Sequence, residues 1–403
     1  MKKILTTTII FFAVAVCSFA EKGKNPASSI FMNGFDASMV SQVEEKGGIY
    51  RDFNGNEEDV FKILKDAGIN WIRLRLWVNP EKSLPGNNTL ERTVKTAKRI
   101  KENGLNFLLD IHYSDTWADP AQQKRPSAWD SVTKISELSE KVSDYTFEVL
   151  TALKDFPPDM VQIGNEINPG MLVTLSSASK IEDYSKPSGS SWKSAETISN
   201  LEKVLKSASG VVRAFNPDIK IMIHLSSQEG DDLSWWFKRF KSVDFDVIGL
   251  SYYPFYKHGT LESLAGNIKK LKKDFSKEVV VVESSYAWTD DWGDDTNNLF
   301  GNDSKVQAAY NLKSHLSEFE TDLYPQKGND GKTYNAPGIN ATEDNQKAVI
   351  SLIRKTVKNA GGTGFFYWGG DWIPASGIEN NWENQALFDF KNGGKALKAL
   401  TVE

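Results

Sequence analysis

Eight short β-rich runs alternate with longer segments of helical period. This constrains the chain more than any other feature, because repeated βα units have a common closed solution, the parallel (β/α)8 barrel. The runs are Ile30 to Asp36, Asn70 to Leu76, Asn106 to His112, Met160 to Glu166, Lys220 to Leu225, Val247 to Tyr252, Glu278 to Glu283 and Gly364 to Trp368. Amphipathic stretches such as Glu57 to Ala67, Leu90 to Asn103 and Val142 to Leu153 lie between them and suit the outer face of a barrel. Asp66-Ala-Gly68 and Glu102-Asn-Gly104 predict helix stops with glycine in the left-handed cap. Ser284 to Asn345 is too long for an ordinary βα connection and predicts an insertion over the rim between strands seven and eight. The expected fold class is therefore α/β, a single (β/α)8 TIM barrel over residues 30–403.

The preceding residues read differently. Lys2 and Lys3, an apolar run from Ile9 to Val16 and small residues through Ala20 have the layout of an export signal over 1–20, followed by a polar linker over 21–29. The expected location is outside the cytoplasm: secreted, periplasmic or lipid-anchored at the cell surface. Cys17, the chain's one cysteine, leaves two alternatives, a lipid anchor at Cys17 or cleavage after Ala20. In either case the mature chain has no internal disulfide and depends on its core. Loss of Lys2 and Lys3 takes the formal charge from -5 to -7. With no basic cluster interleaved with aromatics, nucleic acid is not an expected partner, and membrane insertion of the barrel is not expected either. A neutral polymer fits better.

Barrel enzymes keep their chemistry at the C-terminal ends of the strands. Two runs end there in a glutamate, Asp159-Met-Val-Gln-Ile-Gly-Asn-Glu166 and Glu278-Val-Val-Val-Val-Glu283, 117 positions apart. Splitting a glycosidic bond with retention needs one protonated carboxyl to assist the leaving oxygen and one ionised carboxylate to attack, about 5–5.5 Å apart. Glu166 suits the acid, with a pKa raised by desolvation and by the charge of Glu283, and Glu283 suits the nucleophile. Arg73 would lower the pKa of Glu283, Tyr252 or Tyr253 could donate to the same carboxylate, and Asn165 could hold a sugar 2-hydroxyl. Arg73 and Arg75 share a strand face, so parity does not choose between them. The further candidate contacts are Asp36, His112, Asp115 and His224. The chain has twelve tryptophans. Trp77, Trp117, Trp288, Trp292, Trp368 and Trp372 fall in or beside the rim loops, where flat rings stack on sugars; Trp368 is expected beneath the sugar at the cleavage point.

Long runs strengthen this reading. Gly34-Phe-Asp-Ala-Ser38, Gly47-Gly-Ile-Tyr-Arg-Asp52, Ile63 to Pro80, Leu108 to Pro120, Asp159 to Met171, Ile221-Met-Ile-His-Leu225 and Phe245 to Pro254 together resemble the endo-β-1,4-galactanases of glycoside hydrolase family 53. The resemblance implies a retaining barrel that cuts β-1,4-galactan, the side chain of pectic arabinogalactan, with Glu166 as acid/base and Glu283 as nucleophile. No catalytic cofactor is implied. A structural calcium in the loop after the seventh strand is, with Asp291, Asp294 and Asn298 as candidate ligands. The chain departs from the family pattern at Ser284-Ser-Tyr-Ala-Trp288 and at Gly369-Gly-Asp-Trp372. Two alternatives stay open: a clan relative acting on mannan, xylan or glucan, and a glycan-binding protein on a dead barrel.

Overall fold

The eight-strand expectation holds in the computed structural model, which describes residues 30–172, 195–328 and 330–402. The residues from Phe31 onward form one compact unit. The export segment, the linker and Cys17 lie outside the described residues. The barrel strands are β1 (Met32–Asp36), β2 (Trp71–Leu76), β3 (Asn106–Ile111), β4 (Met160–Ile163), β5 (Lys220–Ser226), β6 (Val247–Ser251), β7 (Glu278–Glu283) and β10 (Gly364–Tyr367). All pair in parallel, and β10 closes the ring between β7 and β1. β8 (Thr321–Lys327) and β9 (Thr333–Ile339) form a separate antiparallel hairpin.

Strand periodicity divides the core in two. Inside the barrel, Met32, Leu108, Met160, Met222, Val247, Val280, Val282 and Phe366 pack together. Between barrel and helices lies the larger apolar layer, including Phe35, Ile72, Leu109, Val161, Ile223 and Val281. Gly34 is required inside: a Cβ there would stand 2.0 Å from the Phe366 ring. Several helices start where an oxygen side chain satisfies free N–H groups. Thr89 caps Leu90–Glu102, Thr260 caps Leu261–Phe275 and Thr342 caps Glu343–Asn359. Gly68 and Gly104 take the expected left-handed conformation, with φ +94° and +70°. Among the described residues no helix is long and apolar enough to cross a membrane.

Three boundaries differ from expectation. The first strand begins at Met32, because Ile30 is exposed. The fourth helix starts at Ile135, ahead of its apolar stripe. β4 stops at Ile163, because Gly164 turns to φ +73° and ends the extended run before Asn165 and Glu166. The long insertion contains a helix, Asn302–Asn311, and the β8–β9 hairpin; Thr296 and Leu299, ahead of both, reach the rim.

Candidate active site

The strand C-termini open into a cavity of about 800 Å³. Glu166, in the turn after β4, and Glu283, the last residue of β7, both line it. Of the other expected residues, Arg73, His112, Trp117, Asn165, Tyr253 and Trp368 line it too. Glu166 has φ 46°, a left-handed conformation costing a non-glycine residue about 1 kcal/mol or more. The turn is tight: a Cβ on Gly164 would meet Ile167 at 2.7 Å. Local strain is thus accepted where it aims the carboxyl inward.

Arg73 organises the floor. Its Nη1 meets Asp36 at 2.9 Å, and its Nη2 meets Asp110 at 2.8 Å, Glu283 Oε1 at 2.9 Å and Asn165 Oδ1 at 2.9 Å. Its Nε donates to Gln162 at 3.2 Å. Burial opposes this charge, but Asp110, Glu283 and Asp36 outweigh it and hold the guanidinium protonated. Arg75 plays another part: it lies 4.0 Å over the Trp117 ring and donates to Gly86 O, and burial lowers it to about 10.

The two glutamates differ in surroundings. Glu283 takes hydrogen bonds on Oε2 from Tyr253 at 3.0 Å and faces Ser251 at 3.4 Å, while Arg73 holds Oε1. Arg73 does lower its pKa, as expected, yet burial outweighs the guanidinium and leaves Glu283 above the ordinary carboxylate range. Glu166 lacks such a cation. Burial, followed by the charge of Glu283, pushes it up to about 8. With Glu283 ionised, Glu166 keeps its proton at neutral pH.

Six expected contacts lie elsewhere. Asp36 sits beneath the cavity, its carboxylate spent on Arg73 and on the Ser38 N–H. Trp77 is fully buried behind His112 and donates from Nε1 to its Nδ1 at 3.1 Å, leaving His112 Nε2 to donate to Asp110 at 2.9 Å. His224 is buried under Asn165 and Ser251. The Tyr252 hydroxyl donates to Gly259 O, because successive residues face opposite ways and only Tyr253 turns inward. Asp115 staples its loop through Asn79 N–H and Ser127. Trp288 packs against Phe390, ring centroids 5.2 Å apart.

Sequence reasoning missed Trp382, which lines the cavity and meets Trp368 edge-on, 4.8 Å between centroids at 89°. It also missed Asp119, Tyr256, His258 and Ser226. Trp382 follows no strand, and the one available signal was the tryptophan-rich tail after β10. Trp372 lines the cavity as a rim residue should, whereas Trp292 is exposed outside it. Asp371, at a departure from the family pattern, is buried and accepts from Met39 and Val40 N–H.

The calcium candidates do not gather into a cage. Asp291 is paired with the Lys391 ammonium, and the Asp294 oxygens are taken by the Thr296 and Asn380 N–H groups. The Asn298 amide donates to Asp291 O. Among the described residues no three His, Cys, Asp or Glu side chains converge, and the buried Asn298 Oδ1 has no hydrogen-bond partner.

The sequence profile described as glycosyl hydrolase family 53 matches residues 32–323 and 313–402. An uncharacterised protein of Niallia circulans is 38% identical over 92% of this chain and 93% of its own length. An arabinogalactan endo-β-1,4-galactanase of Cellvibrio japonicus is 32% identical over 99% of this chain and 96% of its own. Among solved structures, a family 53 catalytic domain from Ignisphaera aggregans superposes with a TM-score of 0.76 at 35% identity, covering 92% of this chain and 94% of that one.

Proposed function

Because the chain belongs to glycosyl hydrolase family 53, we propose that it is an endo-acting β-1,4-galactanase that cleaves galactan by double displacement, Glu283 attacking and Glu166 serving as acid and then base. The observation that carries this reading is the contrast between the two carboxyls in one cavity: Glu283 is held by Arg73 and Tyr253, and Glu166 is desolvated with a pKa of about 8. Glu283 attacks the anomeric carbon as Glu166 gives its proton to the departing oxygen. Glu166, now ionised, takes a proton from water, which displaces Glu283 and restores both groups. Trp368 offers a ring beneath the sugar. Asn165 Nδ2, which donates one hydrogen to Ala118 O, has a second for the 2-hydroxyl. The named activity of the Cellvibrio relative supports β-1,4-galactan as the polymer.

Residues 21–403, incubated with linear β-1,4-galactan, mannan, xylan and cellulose, test this. Short galacto-oligosaccharides released from galactan alone, first seen by NMR as the β-anomer, are expected. Cleavage of another polymer instead would overturn the substrate, and an initial α-anomer would overturn retention. Export through residues 1–20 belongs to the same reading, and the mass of the mature N-terminus distinguishes a lipidated Cys17 from cleavage after Ala20.

A further inference from the structure

The strand that leads to Glu166 ends before reaching it. β4 stops at Ile163, and Glu166 stands in a turn where Gly164 and Glu166 itself are both left-handed, with φ +73° and +46°. A non-glycine residue keeps that conformation only where its surroundings over-determine it. Something outside the turn must hold it.

The holder is the segment after β3. Ala118 O accepts from Asn165 Nδ2 at 2.8 Å. Farther along, the buried Gln123 side chain reaches back, and its Nε2 stands 2.7 Å from Asn165 O and 3.2 Å from both Glu166 O and Asp119 O. Three carbonyl oxygens around one atom identify it as the amide nitrogen, which fixes the orientation of Gln123. Its two hydrogens serve three acceptors, one going to Asn165 O and the other shared between the longer pair.

These contacts set the direction of a side chain. Asn165 O belongs to the peptide unit on the N-terminal side of the Glu166 Cα, and Glu166 O belongs to the unit on its C-terminal side. Each unit is planar, so pinning both sets the two backbone rotations at that Cα. The course of the Cα–Cβ bond, and of the carboxyl into the cavity, follows.

The clamp is itself stiff. Asp119 Oδ1 accepts the Ala121 and Gln122 N–H groups at 2.7 and 3.1 Å, Oδ2 accepts from Gln122 Nε2 at 3.0 Å, and Asp119 and Gln122 exchange both backbone bonds. With Lys124 exposed between them, Gln123 and Arg125 are both buried. Arg125 Nε donates to Leu172 O at 3.0 Å, and Leu172 is a further left-handed residue of the loop after β4, with φ 65°. One short segment thus holds both.

We infer that Gln123 is a positioning residue for the acid: by gripping the peptide units on either side of Glu166, it aims a carboxyl that the strand itself does not aim. This rests on Glu166 being the acid. Gln123 does not line the cavity, so it acts through Glu166.

The test compares leaving groups. Galactan needs its leaving oxygen protonated, whereas a dinitrophenyl galactobioside releases a stable phenolate without a proton, and kcat/KM compares the two at that step. Gln123→Met keeps the length and removes both hydrogens. Its kcat/KM should fall about 10- to 100-fold on galactan and less than about 3-fold on the aryl substrate. On the aryl substrate kcat and KM should fall together, because Glu166 still has to act as base in the second step. Gln123→Glu, neutral among three carbonyls and keeping one hydrogen, should show a smaller split in the same direction, and it serves if Gln123→Met fails to fold. A merely structural role would lower melting and cut both substrates alike. Equal losses on the two substrates, or no loss on galactan, would overturn the inference. Glu166→Gln on the same pair keeps the two readings apart: a split there with none for Gln123→Met sinks the role of Gln123 alone, and equal losses there sink the acid assignment.

Discussion

Replacing Arg73 with Met removes the guanidinium that touches Asp36, Asp110 and Glu283 within 2.9 Å, all of it buried. Breaking a buried ion pair by deleting one partner costs about 3–5 kcal/mol, since the surviving charges stay desolvated. At an unfolding entropy of about 2.1 cal/mol/K per residue, a barrel of this length loses roughly 4–6 °C of melting temperature. The catalytic effect has its own sign. Burial, Asp110 and Asp36 all raise Glu283, while Arg73 and Tyr253 lower it. Without Arg73 the Glu283 pKa climbs further, by about 1–3 units. Since the nucleophile acts ionised, the acid limb of kcat/KM should move to higher pH by that amount, with roughly 10- to 1000-fold loss on the acid side. Arg73→Lys keeps the charge but not the fork, and its limb should move less. Calorimetry and a pH series on galactan measure the two effects separately. An acid limb left in place while melting falls would show that Arg73 holds the wall together but does not set the charge of Glu283.

Glu166→Gln mimics the protonated acid. Because the folded pKa of Glu166 is raised to about 8, its favourable contribution is complete below the ordinary carboxylate range and is lost as pH rises through 8. The variant should thus melt above the parent at pH 8.5, by on the order of 2–4 kcal/mol, and level with it at pH 4; equal differences at both would refute the raised pKa. Trp368→Ala should lower kcat/KM on galactan by about 10- to 100-fold, whereas Trp292→Ala, on an exposed ring outside the cavity, should change it little. Comparable losses for both would show that Trp368 does not carry the sugar.

The barrel was legible because period-2 runs and glycine stops are local signals, and each strand carries its own. Glu166 and Glu283 were legible for the same reason: both stand at strand ends, where a parallel barrel collects side chains. Depth along the barrel axis was not. Asp36 and His224 also sit near strand ends, but the stagger of the ring places them one layer below the cavity, where Arg73 and Ser251 occupy their polar atoms. Nor could the sequence choose between Tyr252 and Tyr253, since β6 ends at Ser251 and the inward direction depends on the turn that follows. Trp382 was hidden because an irregular tail, with no strand to index it, brings it against Trp368.

The charges under the cavity explain why so many acids tolerate burial together. Asp36, Asp110 and Glu283 surround Arg73, and Arg75 lies alongside, stacked on Trp117. Asp371 is pushed up to about 8 by burial and then by Asp36, and Glu166 to about 8 by burial and then by Glu283, so near neutral pH both are mostly protonated. Burial also lowers His112 and His224, leaving them neutral. Around Arg73 and Arg75 three carboxylates then face two guanidiniums, an excess of one negative charge beneath the cavity. An oxocarbenium-like ring forming above Glu283 supplies the missing positive charge. The wall is thus closer to electrostatic balance in the transition state than with the cavity empty. Loss of the Glu166 proton would add a second negative charge beside Glu283, so the acid proton also sets the field in which Glu283 attacks.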